Sequence, residues 1–322
     1  MMMMTEMPHR NARSQPADSA AAAGPDPNAQ GAASRGSETR RRMEREIPIM
    51  GANKQEVLAL YEESNRHRDR YRGTLHDLET SCFFVGYPRS GHSLVGALLD
   101  AHPDVVMAHE LNVMKYVAAG FDREQISYLL IENARRCGEV GRAWGPYDYR
   151  VAGQWQGRFR TIRVLGDKKG ARTTGSIMHE PARLQKLIDL FERRVRFLHV
   201  IRNPFDVIAT VFRKSSMRLP DAIRYFFRMA KTNETVCRTL GPQRILNMRH
   251  ERLVSDPAGA LSSACNFLGV KCDPGYLESC SAVVATSAVR SRDAVVWTPQ
   301  ITDAVERQFK RFDFLDGYRF AD

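Results

Sequence analysis

An apolar run that ends in a glycine-containing turn constrains this chain more than any other segment. Residues 82–85 are apolar, Gly86 follows them, and the turn 87–91 leads into a second apolar run that ends at Leu99. This pattern predicts a buried strand, a loop and a helix in direct succession. Because free backbone N–H groups of such a loop lie at the N-terminus of the helix, the segment is suited to bind an anion.

The spacing within this loop indicates which anions it can hold. Four residues separate Gly86 from Gly91, and Ser93 follows after one more, which is the spacing of a P-loop. The lysine that P-loop kinases and ATPases place on the β- and γ-phosphates is replaced by His92, and the loop carries Arg89 instead. A guanidinium can form two parallel hydrogen bonds to an oxyanion. We therefore expect an anion site without nucleoside triphosphate geometry; a ligand-free glycine-rich turn is the alternative.

Strand-like apolar segments alternate with helical segments along the rest of the chain. The predicted strands cover residues 82–85, 105–107, 162–166, 195–201 and 244–248. The predicted helices cover residues 53–72, 93–101, 126–136, 181–194 and 257–268, and three more follow Pro204, Pro220 and Pro299. This alternation predicts an α/β fold in which a P-loop-like parallel sheet is flanked by helices on both faces.

Composition separates the first part of the chain from the remainder. Residues 1–47 are rich in Ala, Pro, Ser, Gly and Arg and have no apolar periodicity, so we expect a disordered leader there. Residues 48–322 are expected to form a single domain.

The net charge and the cysteines indicate which class of ligand and which cellular compartment to expect. A formal net charge of +11 points to anionic ligands. Because no zinc-finger, helix-turn-helix or aromatic RNA-binding pattern is present, we expect a small anionic ligand and no nucleic acid. The six cysteines form no Cys-x-x-Cys pair, and no run approaches about 20 apolar residues. These features predict a reduced, cytoplasmic protein with no membrane span.

A second candidate anion site follows the strand predicted at residues 195–201. Arg202 stands at the exit of this strand, and Pro204 suits the first turn of a helix. Thr210 lies two helical turns further on, and Lys214 follows it at i+4. Together these side chains could hold a second phosphate, whereas a surface arginine beside an ordinary helical threonine is the alternative.

The two elements together resemble the sulfotransferase superfamily, whose members use 3′-phosphoadenosine 5′-phosphosulfate (PAPS). Residues 87–93 (Tyr-Pro-Arg-Ser-Gly-His-Ser) look like the loop that binds its 5′-phosphosulfate. Residues 202–207 (Arg-Asn-Pro-Phe-Asp-Val), with a hydroxyl residue eight positions after the arginine, look like its 3′-phosphate element. Residues 249–257, followed by 267–269, are similar to a third landmark of the superfamily. The resemblance spans roughly residues 82–310 and implies transfer of a sulfuryl group to an acceptor hydroxyl.

The likeness is closest to tyrosylprotein-type sulfotransferases and their bacterial relatives. In these enzymes Leu-Asp-Ala-His-Pro follows the loop, as at residues 99–103 here. A glutamate several residues later is their catalytic base, and Glu110 stands at that position. A lysine at a later strand end, matched here by Lys168, helps to stabilise the transferred group. Other branches of the superfamily use histidine, which makes His109 and His92 alternative bases.

The resemblance implies a set of site residues. Glu110 is the expected base, with Lys168 and Arg89 stabilising the transferred group without a metal ion. The residues expected to bind PAPS are Arg89, Ser90, Gly91, His92, Ser93, Arg202, Thr210, Lys214, His250, Arg290 and Ser291. The chain departs from the family pattern where His92 and Ser93 replace a threonine pair and His250 replaces a tyrosine near the adenine.

The resemblance leaves the acceptor open. A glycan, a lipid, a peptide or a small alcohol could carry the hydroxyl, and residues 111–160 are expected to shape its pocket. A degenerate P-loop nucleotide kinase and a catalytically inactive, nucleotide-binding sulfotransferase homologue are alternative functions. The oligomeric state is not predicted.

Overall fold

A five-stranded parallel sheet forms the centre of the fold. The computed structural model describes residues 53–141, 143–144 and 147–322, so the leader predicted at residues 1–47 lies outside the described residues. The sheet strands are β1 (Thr80–Gly86), β2 (Val105–Ala108), β5 (Val164–Asp167), β6 (Val195–Ile201) and β7 (Ile245–Arg249), and a separate antiparallel pair consists of β3 (Ala143–Trp144) and β4 (Tyr147–Asp148). The strand order is β2-β5-β1-β6-β7, with all neighbours parallel.

Helices connect the strands. They are α1 (Lys54–Arg66), α2 (His92–Asp100), α3 (Val113–Ala118), α4 (Arg123–Val140), α5 (Gly170–His179), α6 (Ala182–Phe191), α7 (Pro204–Lys214), α8 (Leu219–Leu240), α9 (His250–Ser255), α10 (Pro257–Leu268), α11 (Pro274–Ser281) and α12 (Pro299–Phe309). Short 3₁₀ helices cover Glu192–Arg194, Ser291–Ala294 and Asp313–Leu315.

Both faces of the sheet are buried, as an apolar parallel sheet requires. Every residue of β1 is buried, and successive side chains point to opposite faces. On one face Phe84 packs in a core that also contains residues of α2, α10 and α11. On the other face the ring of Phe83 lies 5.2 Å from that of Phe191 at the end of α6. The prediction of a parallel sheet flanked by helices on both faces is confirmed.

The largest departure from the predicted elements is helix α5, which has no counterpart in the sequence-based assignment. Its residues include two glycines and two threonines, which are poor helix formers. Tertiary contacts stabilise it instead: Thr174 accepts a hydrogen bond from the backbone N–H of Gly86 at 2.9 Å and donates one to Asn233 at 2.8 Å. A Cβ atom at Gly170 would collide with His92, so the first turn of α5 approaches the loop after β1 only because it begins with glycine.

Two predicted helices are shorter in the structure. The helix predicted to reach residue 72 ends at Arg66 and is followed by turns. The helix predicted to reach residue 194 ends at Phe191, after which Glu192 adopts a left-handed conformation with φ 60°. Within the described ranges, no helix is both long enough and apolar enough to span a membrane.

Candidate active site

The predicted site residues collect at one edge of the sheet. The loop 87–91 follows β1, Glu110 follows β2, Lys168 follows β5, Arg202 follows β6 and His250 follows β7. Because the strands are parallel, their carboxyl ends meet at the same edge, where ligands bind in open α/β sheets. A cavity of about 1320 Å³ opens there, and we call it the main cleft.

Most of the predicted site residues line the main cleft. Those that do are Arg89, Gly91, His92, Ser93, Glu110, Lys168, Arg202, Thr210, Lys214, His250 and Ser291. Ser90, His109 and Arg290 do not line it. The roles assigned to all of these residues stay predictions.

Backbone conformation shapes the loop between β1 and α2. Arg89 has φ 65° and Gly91 has φ 99°, so the chain turns twice through the left-handed region before α2 begins. A Cβ atom on Gly91 would lie 2.6 Å from Nδ1 of His250, so both conformation and space require glycine there. The buried Ser90 hydroxyl donates a hydrogen bond to the carbonyl of Tyr87 at 2.9 Å. Ser90 therefore supports the loop from inside.

Lys168 connects Ser93, at the start of α2, to the predicted base. Its ammonium donates a hydrogen bond to the Ser93 hydroxyl at 2.7 Å and another to Glu110 Oε1 at 3.0 Å. The Lys168 side chain is only 2% exposed, whereas that of Glu110 is 47% exposed. Lys169 donates to the other carboxylate oxygen of Glu110. A hydroxyl, a buried ammonium and a half-exposed carboxylate thus form one continuous chain across the cleft.

The two lysines that bind Glu110 keep its carboxyl group ionised. Burial alone raises the pKa of its carboxyl, but the ammonium groups of Lys168 and Lys169 outweigh burial and hold the pKa at about 2. Burial lowers the pKa of the Lys168 ammonium, an effect that the Glu110 carboxylate opposes. Glu110 is therefore an anion across the physiological pH range.

The lowered pKa of Glu110 predicts a pH-dependent contribution to stability. Because its pKa falls from 4.5 to about 2 on folding, the folded chain binds fewer protons in this range than the unfolded chain. The contribution is present above about pH 4.5 and is lost as the pH falls towards 2. Solvent screening of the half-exposed carboxylate limits it to about 1 kcal/mol.

Urea unfolding of the wild type and of Glu110→Gln at several pH values measures this contribution. We expect the difference in unfolding free energy between the two proteins to shrink as the pH falls from about 4.5 towards 2. A difference that stays constant over this range contradicts the ion pairs seen in the structure.

Asp167 positions the turn that carries Glu110, a role that the sequence analysis missed. Its buried carboxylate accepts hydrogen bonds from the backbone N–H groups of Leu111, Asn112 and Val113 at 3.1, 2.8 and 3.0 Å. Glu110 and Asn112 have φ 59° and 66°, a conformation that these three bonds help to hold. Burial raises the pKa of Asp167 to about 6, against the opposing effect of these bonds. The only sequence signal is its position at a strand end before Lys168.

His92 lies beneath the loop and is uncharged. Its ring nitrogens are within 3.3 Å of the Ser90 hydroxyl and of the Val85 carbonyl. Burial, against the opposing hydrogen bond to Val85 and with a smaller contribution from the nearby Lys168 ammonium, lowers the pKa of His92 to about 3. The neutral imidazole packs between the end of β1 and the first residue of α5.

Arg202 links two segments of the cleft wall. One of its terminal nitrogens donates to the carbonyl of Arg89 at 3.2 Å, and the other donates to the carbonyl of Val289. Its Nε atom and Nδ1 of His250 are buried without a hydrogen-bond partner in the part of the chain described. The Nε atom of Arg202 also lies 3.9 Å from the Asp206 carboxylate. Both Arg202 and His250 line the main cleft, so a ligand bound there would lie beside them.

The remaining predicted residues have other contacts. The Thr210 hydroxyl donates to the carbonyl of Asp206 one helical turn earlier, at 2.7 Å, and Lys214 is exposed at the end of α7. The Arg290 guanidinium is directed towards Asp293 and the carbonyl of Ala321, at 3.2 and 3.0 Å. The backbone N–H of His109 donates to Asn133 at 2.7 Å.

The main cleft is strongly cationic. Among the described residues, its lining includes nine lysine and arginine side chains but only two carboxylates, those of Glu110 and Asp148. Such an excess of positive charge favours a ligand with several negative charges.

A comparison with family models places the chain in a known class of proteins. The model of the Sulfotransferase family matches residues 82–274, and the chain belongs to this family, whose members transfer sulfuryl groups. No curated protein sequence matches the chain significantly.

Solved structures with related folds are also sulfotransferases. Sulfotransferase STF9 from Mycobacterium avium is 12% identical, with a TM-score of 0.48, and the match covers 88% of this chain and 95% of that one. The sulfotransferase domain from the curacin biosynthetic pathway is 19% identical, with a TM-score of 0.44 and coverage of 73% and 92%. Mouse sulfotransferase SULT7A1, complexed with PAP, is 14% identical, with a TM-score of 0.39 and coverage of 74% and 87%.

Proposed function

We propose that this protein transfers the sulfuryl group of PAPS to an acceptor hydroxyl, with Glu110 as the general base. The observation that carries the proposal is the hydrogen-bonded chain from Ser93 through Lys168 to Glu110. It joins Ser93, directly after the loop, to a half-exposed carboxylate that lines the same cleft. A nucleotide with phosphate groups at both its 3′ and 5′ positions also suits the cationic main cleft.

The 5′ and 3′ ends of the donor would bind at residues that follow two different strands, β1 and β6. The backbone N–H groups of residues 90–93 and the Ser93 hydroxyl would hold the 5′-phosphosulfate at the N-terminus of α2. Arg202 and Thr210, with Lys214 at the rim, would hold the 3′-phosphate. Arg202 supports this assignment, since it lines the main cleft and donates a hydrogen bond to the carbonyl of Arg89 in the loop.

Glu110 would remove the proton of the acceptor hydroxyl as the oxygen bonds to sulfur. In the structure two ammonium groups lower its pKa to about 2, which makes it a weak base. Negative charge brought in by the donor competes for Lys168 and raises the basicity of the carboxylate. Lys168 and Arg89 would then stabilise the charge that spreads over the equatorial oxygens and the leaving phosphate.

Binding of adenosine 3′,5′-bisphosphate, followed by calorimetry, tests the donor assignment. We expect Arg202→Ala to weaken this binding by about a hundredfold, because a guanidinium–phosphate pair in a partly buried site contributes about 1.5–3 kcal/mol. Arg238→Ala, at an exposed position near the end of α8, is the matched control and should leave binding unchanged.

Ligand binding and transfer of label together distinguish the alternative functions. Tighter binding of ATP with magnesium than of the bisphosphate would favour the nucleotide kinase and overturn the proposal. Bisphosphate binding without transfer of label from PAPS to any acceptor would indicate the inactive homologue.

A further inference from the structure

A second cavity meets the main cleft at Glu110. It has a volume of about 800 Å³ and lies between α1 and α4, and we call it the side groove. Residues that line both cavities are Glu110, Asn112, Lys115, Lys169 and Arg172. Among the described residues, the lining of the side groove includes no member of the loop 87–93 and not Arg202. The side groove therefore reaches the predicted base without reaching the predicted donor site.

This arrangement matches the geometry of sulfuryl transfer. The attacking and leaving oxygens lie in line on opposite sides of the transferred group. If the donor is held by the loop and Arg202, the acceptor must approach Glu110 from the other side. The side groove is lined by Glu110, whose carboxylate is 47% exposed, and its described lining includes none of the predicted donor-binding residues.

We infer that the side groove binds the acceptor, and that the acceptor is a neutral, hydroxyl-rich chain of the oligosaccharide class. This inference rests on the proposed function and names the substrate class for the same site. The terminal sugar would present its hydroxyl to Glu110, and the following sugars would lie along α1 and α4.

The charges of the side groove favour a neutral ligand. Its lining contains four carboxylates and four basic side chains: Glu56, Glu63, Glu110, Glu132, Lys115, Arg136, Lys169 and Arg172. This balance contrasts with the cationic main cleft and gives no net attraction for an anionic or a cationic chain.

The arrangement of these charges suits hydroxyl groups in particular. Glu56 lies 3.7 Å from Lys115, and Glu63 lies 3.3 Å from Arg136, so acceptors and donors of hydrogen bonds stand side by side. A sugar hydroxyl both donates and accepts, and can bond to the two members of such a pair at once.

Other acceptor classes fit less well. A sterol or an acyl chain would cover charged side chains without replacing their bonds to water, which is costly. An acidic peptide would place its carboxylates beside Glu56 and Glu63 on α1. A neutral chain of hydroxyl groups can replace the bonds to water and brings no carboxylate near Glu56 and Glu63.

Ala59 allows the groove to be blocked without disturbing the core. It is exposed on α1 and lines the side groove, whereas α1 packs on the protein through Val57, Tyr61 and Ser64. Ala59→Trp would place an indole in the groove. Asn65→Trp puts the same side chain on the same helix outside both cavities and is the matched control.

Sulfate transfer from labelled PAPS to neutral mono- and tetrasaccharides of glucose, galactose and N-acetylglucosamine tests the inference. We expect kcat/KM to be higher with tetrasaccharides than with monosaccharides in the wild type. Ala59→Trp should lower it by about tenfold for tetrasaccharides and by no more than about twofold for monosaccharides. Asn65→Trp should leave both values unchanged.

The outcomes distinguish this inference from the proposed function. Transfer to phenols or tyrosine peptides, with none to any sugar of the panel, overturns the oligosaccharide assignment but leaves the proposed function standing. Equal losses in Ala59→Trp for both chain lengths, or no loss for either, overturn the placement in the side groove. A protein that does not bind adenosine 3′,5′-bisphosphate refutes the proposed function, and the groove assignment falls with it.

Discussion

Replacing Glu110 with glutamine should lower kcat for sulfate transfer by about a thousandfold, within the range of 10²- to 10⁴-fold for loss of a general base. Glutamine keeps the shape and the hydrogen-bond acceptor that faces Lys168, but it cannot take up a proton. Turnover of labelled PAPS at saturating donor and acceptor measures the effect. Because glutamine preserves the contact with Lys168, affinity for adenosine 3′,5′-bisphosphate should change little.

A surface carboxylate provides the control for this substitution. Glu180 forms ion pairs with Arg183 and Lys186 at 2.8 and 2.9 Å and does not line the main cleft, so Glu180→Gln should keep wild-type turnover. Near wild-type turnover in Glu110→Gln would refute its role as base. His109→Ala would then test the alternative base.

Lys168→Met should lower kcat by about 10²- to 10³-fold, because in the proposed mechanism it removes the charge that stabilises the transferred group. Methionine retains most of the aliphatic stem, which matters because α2 packs closely on Lys168. A Cβ atom on Gly96 would lie only 2.8 Å from Cβ of Lys168. Turnover of labelled PAPS, with melting temperature as a check on folding, measures the effect.

Lys169→Met is the matched control, since both lysines bind Glu110. The Lys169 side chain is 23% exposed against 2% for Lys168, and only Lys168 also contacts the loop through Ser93. We therefore expect Lys169→Met to lose less than about tenfold in kcat. A larger loss in Lys169→Met than in Lys168→Met would reverse the two roles.

Much of the fold could be predicted because its signals are local. The strand β1 contains the apolar run 82–85 and β6 is mostly apolar, and each is followed by a turn and a helix, so their pattern indicates a buried parallel sheet. Helix α5 could not be predicted in this way. Its glycines and threonines disfavour a helix locally, and only contacts with Gly86, His92 and Asn233 make the helical conformation stable.

In the candidate site, too, some residues could be predicted from the sequence and others could not. Glu110 and Lys168 could be singled out because each follows a predicted strand and matches a family position. The function of Asp167 could not, because it depends on three N–H groups of a turn 54 to 56 residues earlier in the chain. The contacts of Arg290 with Asp293 and Ala321 are likewise visible only in the folded chain.

The sequence by itself determined the fold class, the glycine-containing loop between β1 and α2, and the strands after which the charged residues lie. These properties follow from apolar runs, glycines and spacing, which act over a few residues. Only the tertiary structure decided that Lys168 bridges Ser93 and Glu110, and that Glu110 lies between two cavities of different charge. The reason is physical: hydrogen bonds, burial and cavity walls depend on side chains from distant segments, which become neighbours only when the sheet forms.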